Sequence, residues 1–91
     1  MNESASVRFG KGVYGAACAA VADVMRLDHP ADGMLSRFFR EHPNVGRHDR
    51  AIVAETVYAI LRRRRLLDFL WPGADVRELV LLAWAILLGA N

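Results

Sequence analysis

Apolar residues along this chain recur at three- and four-residue steps rather than in alternation, which predicts helices and no strands. Over residues 13–27 the stripe Tyr14, Ala17, Val21, Val24 and Met25 marks a first helix. Its run Gly15-Ala16-Ala17-Cys18-Ala19-Ala20 keeps the surface thin enough for a neighbouring helix to cross closely. His29-Pro30 interrupts, because proline disfavours helical geometry in the residue before it. Asp32 then stands where a carboxylate caps a second helix reaching Glu41, with Leu35, Phe38 and Phe39 as its core face. Pro43-Asn44-Val45-Gly46 is the next break. A long third helix is expected over residues 46–70, with Asp49 at its positive dipole end and Val53, Val57, Ile60 and Leu61 along one stripe. Trp71-Pro72-Gly73 closes it, and Asp75 opens a fourth helix whose later part, residues 80–88, is apolar on every side. A helix of that kind needs cover all round. The expectation is therefore a piece of a longer protein, or a chain that completes its core by self-association through the helix at 79–88.

The 91 residues fit one small domain, and a composition rich in Ala, Leu, Val and Arg with few Thr or Ile favours an all-α bundle of about four helices. Residues 1–10 are polar and read as a flexible lead-in, leaving 11–91 as the domain. Net charge is only +2, yet arginine supplies all the basic residues except Lys11. The local clustering is more informative than the total. Arg62, Arg63, Arg64 and Arg65 are consecutive, and at about 100° per residue they fan around a helix instead of forming a flat patch. Arg62 and Arg65 share the outer face with Tyr58. Arg64 falls in line with Val53, Val57 and Ile60, so either the helix bends there or the side chain runs along apolar neighbours to reach water. Asp68 stands four residues on as its natural partner.

A planar guanidinium suits bidentate phosphate contact and base stacking. Arg62 and Arg65, with Arg47 and Arg50 at the start of the same helix, are accordingly the candidate RNA contacts, with Tyr58 as a possible base-stacking ring. The competing explanation is a solvated basic helix end favoured by the C-terminal dipole, with Asp49 as a structural cap and Arg50 paired to a carboxylate. Arg37 and Arg40 could extend this basic surface, although solvation is the simpler explanation, and Trp84 is explained by the core. His29, His42 and His48 lack the spacing of a metal site, and no cysteine joins them. Cys18 is the only cysteine, so it reads as core filler in a reducing compartment. The uncharged run 79–90 is shorter than the ~20 residues that span a bilayer. With no secretion signal, the expected location is the cytoplasm. No nucleophile and base, or pair of carboxylates, has the arrangement that chemistry needs, so no catalytic, cofactor-binding or metal residue is assigned.

One block of the sequence has a wider resemblance. Pro30-Ala31-Asp32, Leu35, Phe38-Phe39-Arg40-Glu41-His42, Gly46-Arg47-His48-Asp49-Arg50-Ala51, Glu55, Val57-Tyr58 and Leu61-Arg62 resemble the N-terminal domain of the Sun/Fmu (NOP2-like) ribosomal RNA cytosine-5 methyltransferases. That domain is similar to the antitermination factor NusB. The Gly-x-x-Asp-Arg-Ala to Tyr-x-x-Leu-Arg block is its specific part. The resemblance implies a NusB-like bundle that holds structured, ribosomal RNA for a separate C-terminal methyltransferase domain using S-adenosylmethionine, in a domain normally longer than this chain. The family's glycine-rich cofactor loop and its cysteines in Thr-Cys and Pro-Cys settings have no counterpart here, since Cys18 lies between Ala17 and Ala19. The alternative expectation is a stand-alone NusB-like interaction or antitermination module that self-associates through its apolar C-terminal helix.

Overall fold

A computed structural model describes residues 12–26 and 30–87, and these form an all-helical bundle without strands. The helices are α1 (Gly12–Arg26), α2 (Ala31–Glu41), α3 (Arg47–Arg62), α4 (Arg64–Leu70) and α5 (Val76–Leu82), and α5 continues into a π-helical turn, Ala83–Leu87. The expected lead-in at 1–10, and His29 and Leu88, lie outside the described residues.

α1 occupies the centre. Gly15, Ala17, Cys18, Ala19, Ala20, Val21 and Val24 are all buried, which at about 100° per residue closes nearly the whole circumference of the helix. The small side chains let α3 pack on α1 more extensively than any other pair of helices, while α2 and α5 contact other parts of it. Val53, Val57 and Ile60 of α3, Phe38 of α2 and Leu79 and Val80 of α5 fill the space around this thin helix. Each such apolar side chain taken out of water contributes roughly 1.5–3 kcal/mol before entropy is counted.

Several helix boundaries differ from the sequence expectation. α2 begins at Ala31 with Pro30 at its N-cap and no side-chain cap bond, so Asp32 lies inside the first turn and does not cap the helix. Met34 joins Leu35 and Phe38 on the buried face, while Phe39 is only half-buried. The expected long third helix is broken at Arg63, whose φ of −118° and ψ of 27° separate α3 from α4. Among the described residues the bundle therefore has five α-helices. Gly73, at φ +78°, turns the chain between α4 and α5 in a region open to glycine and costly for other residues. Asp75 then caps α5 in a reciprocal box: its carboxylate accepts from the Glu78 amide at 2.9 Å, and its own amide donates to Glu78 Oε1 at 2.9 Å.

The C-terminal apolar segment is covered on one side only. Leu79, Val80 and Ala83 are buried, whereas Leu81 and Ile86 are 51% and 46% exposed. Trp84 is half-buried and is the anchor of this segment. Its indole Nε1 donates to Thr56 Oγ1 at 2.8 Å, and Thr56, fully buried, donates in turn to the Ile52 carbonyl at 2.7 Å. The Trp84 ring meets Tyr14 edge-on at 5.7 Å, and the Tyr14 hydroxyl donates to the Arg77 carbonyl at 3.1 Å. α1, α3, α5 and the π-helical turn are thereby joined through three side chains whose polar atoms all have partners.

Two expected outcomes test this packing. Ala20→Leu places extra methylenes where α1 has no free volume, and should cost about 1–3 kcal/mol in urea-induced unfolding; a stability within 0.5 kcal/mol of the parent would contradict a close-packed α1. Burial, and next the neighbouring Cys18 thiol, push the Tyr14 phenol up to about 12 from its ordinary value of 10.0. The folded state thus holds this proton more tightly than the unfolded state. The stability that results is complete below the unfolded value and falls as the pH climbs from there towards the folded value. Thermal melts across that alkaline window should show a shallower loss for Tyr14→Phe than for the parent, and equal losses would refute the assignment.

Candidate nucleic-acid interface

The break at Arg63 resolves the conflict that four consecutive arginines create. In one continuous helix Arg64 would point in line with Val53, Val57 and Ile60, and into the core they form. The Arg63 amide still donates to the Ala59 carbonyl at 3.1 Å, and the Leu67 amide to the Arg63 carbonyl at 3.0 Å, so the chain bends without losing these two bonds. After the bend Leu67 is the fully buried residue of α4, and Arg64 is turned out to Asp68, with Nε 3.1 Å from Oδ1. The ion pair expected from the spacing is present, and of the two expected routes for Arg64 the bend is the one taken.

Asp68 is the only carboxylate in α4, and Arg64 occupies it. Arg62, Arg63 and Arg65 are left exposed, each without an ion pair or side-chain hydrogen bond among the described residues. Three uncompensated cations thus stand within four positions of the chain. Two other arginines are ion-paired: Arg26 bonds Asp23 at 2.9 Å and Arg37 bonds Glu41 at 3.1 Å. Both of those pairs line a shallow recess between α1 and α2, together with Met34 and Phe38, and neutralise it.

The other sequence-derived candidates are placed differently. Arg50 holds the connection before α3: its Nε donates to the Val45 carbonyl at 2.9 Å, and its guanidinium lies 5.5 Å from the centroid of the Phe39 ring. That is neither a free phosphate contact nor the carboxylate pair considered from sequence. Arg47 is exposed and unpaired among the described residues. Asp49 is half-buried in the first turn of α3 and favours its dipole, but no side chain caps that helix; Gly46 holds the N-cap position. Tyr58 is half-buried against the core and its hydroxyl donates to Asp32 Oδ1, which ties α3 to α2. Tyr58 therefore does not share an open face with Arg62, and its hydroxyl is already engaged. His42 stacks on Phe38 at 4.1 Å and its Nδ1 donates to the Phe38 carbonyl at 2.8 Å. Among the described residues no group of three or more potential ligands could hold a metal ion, and no helix is long and apolar enough to cross a membrane.

The arginines do not form one site. Arg47 and Arg62 begin and end α3, so at about 1.5 Å per residue they stand on the order of 22 Å apart along its axis. No single small anion reaches both. A polymer with a phosphate every ~3.4 Å along each strand can span such a distance. Sequence reasoning overlooked Arg63, which the break leaves free, and Phe69, which is 80% exposed. The signal for Phe69 was present in its spacing, which puts it opposite the Val53 and Ile60 stripe even in an undivided helix.

The chain matches no known family model, no curated protein and no solved structure.

Proposed function

We propose that this chain is an RNA-docking domain, related to the N-terminal NusB-like domain of S-adenosylmethionine-dependent ribosomal RNA cytosine-5 methyltransferases, and that its principal contact is the junction of α3 and α4. The carrying observation is the trio Arg62, Arg63 and Arg65, exposed, without a carboxylate partner and close together in the chain, whereas Arg40 and Arg47, also without a carboxylate, stand singly. Desolvating these cations against protein would be costly, whereas phosphates neutralise them and release counterions. Arg47, at the far end of α3, extends the track for a polymeric ligand. Arg50 and Tyr58 support this surface from within. The role is to hold RNA for chemistry carried out by a separate methyltransferase domain.

The exposed Leu81 and Ile86 favour a second reading. In it the chain is an interaction module that pairs through its C-terminal apolar face, and RNA is secondary.

Titration against small-subunit ribosomal RNA fragments at two salt concentrations, with light scattering on the free protein, separates the two. RNA docking requires binding that weakens steeply with salt, and Arg62→Ala with Arg65→Ala should lower the slope of log K against log salt by roughly 1.4–1.8 if each arginine neutralises one phosphate. Arg37→Ala, which removes an already paired cation, should leave the slope alone. An unchanged slope in the double variant would remove this junction as the site. For the second reading, a stable homodimer is expected, and Leu81→Glu should render it monomeric; a monomeric parent chain would exclude that reading.

A further inference from the structure

The outer face of α4 carries more than charge. With Leu67 fully buried and each side chain turned by about 100° from the last, Arg65 and Phe69 fall about 160° and 200° around the helix from it. Both project almost straight away from the core, one turn apart and within about 40° of each other. Arg64 and Asp68 lie on the flank, where their ion pair keeps the carboxylate occupied. Phe69, at 80%, is the most exposed of the large apolar side chains described, and Leu70 and Trp71 follow it at 49% and 39%. Leaving a phenyl ring in water opposite the buried face gives the bundle nothing, since a polar residue would serve that position better.

We propose that Phe69 is a stacking platform for an unpaired base, with Arg65 at the adjoining phosphate, so that this face takes single-stranded or loop RNA and not the side of a duplex. The inference rests on the RNA-docking reading and narrows its ligand. Bases inside a duplex stack on one another and offer no face to a side chain, whereas an unpaired nucleotide presents a flat ring and a phosphate together. Arg65 and Phe69 supply the complement of both, about 6 Å apart along the helix axis. Arg65, one turn from the ring, and Arg62 and Arg63 just before α4 call for an anionic partner, and among anionic surfaces a polynucleotide is the one that brings flat faces at every repeat. An anionic bilayer takes up a continuous apolar face turned to one side, and here the outermost position is shared between a charge and a ring, with Arg65 within about 40° of Phe69.

The test uses the full chain with a short unstructured oligoribonucleotide containing 2-aminopurine, the duplex of the same sequence, and phosphatidylserine vesicles. The intact chain is expected to bind the single strand more tightly than the duplex and to quench the 2-aminopurine emission. Phe69→Ala and Phe69→Leu should each weaken single-strand binding roughly 5- to 100-fold, the equivalent of one stacked base, while leaving duplex binding and the salt slope unchanged; Phe69→Trp should retain binding. The leucine variant keeps the apolar bulk and removes only the aromatic face. Single-strand binding by Phe69→Leu equal to the parent overturns the stacking role, and if Arg62→Ala with Arg65→Ala still weakens binding, RNA docking stands without it. Preference for duplex, or for vesicles over RNA, also overturns the inference. Failure of the folded chain to bind any RNA overturns both it and the reading beneath it.

Discussion

The thinness of α1 is the constraint on which the rest of the bundle depends. A helix with Gly15, Ala17, Cys18, Ala19 and Ala20 buried has little apolar volume of its own, so its stability comes from how closely its neighbours approach. Packing at the density of protein interiors leaves no room for a misplaced side chain along that line of contact. α3 must present Val53, Val57 and Ile60 to it in register, and anything that would continue that row with a charge has to be turned aside. Arg64 is such a residue, and the bend at Arg63 is how it is turned aside. The candidate interface is in this sense a product of core packing: the same row of apolar residues that docks α3 on α1 ends in arginines, and the chain bends where the two meet.

The bend also redistributes burial. Leu67 is the buried residue of α4 while Arg64 is turned out to Asp68, and Arg65 and Phe69 lie on the side opposite Leu67. Arg62 and Arg63 end one helix while Arg64 and Arg65 start the next. Cations suit a helix C-terminus and are unfavourable in the first turn of a helix, where the dipole is positive. For Arg62 the dipole of α3 is a sufficient structural reason. For Arg65, in the first turn of α4, it argues the other way. Arg64 is compensated by Asp68, and Arg65 has no such compensation, which makes its presence on the exposed face the feature least explained by folding.

How much was legible in the sequence follows the range of the interactions involved. The all-helical class, the α1 stripe, the break at residues 42–46, the Arg64–Asp68 pair and the start of α5 at Asp75 are consequences of residues within a few positions of one another, and periodicity and spacing reveal them. The partners of Tyr58 and Thr56 lie 26 and 28 residues away, and no local pattern specifies such a contact. Tyr58 therefore read as an open ring beside Arg62, when its hydroxyl is bound to Asp32. The partners of Arg50 were not foreseen for a related reason. Its partners, the Val45 carbonyl and the Phe39 ring, are a backbone atom and a π face, and a search for carboxylates passes over both. The helix break was anticipated as one of two ways to place Arg64, and Phe69 was missed although its spacing from Val53 and Ile60 already sets it on the outer face.

The C-terminal segment shows where local reasoning reaches its limit. Its apolar residues read as a helix that needs cover on all sides, yet the bundle covers Leu79, Val80 and Ala83 and only part of Leu82, Trp84 and Leu87. What fixes the orientation of that segment is polar: the Trp84 indole bonded to Thr56, and Tyr14 reaching the Arg77 carbonyl. A directional hydrogen bond to a fully buried hydroxyl permits one rotation of the helix, where apolar burial alone would tolerate several. Leu81 and Ile86 are exposed because Trp84 and Leu79 have taken the inward positions. The uncovered side is therefore a consequence of how the segment is anchored, and its exposure does not conflict with a well-packed interior.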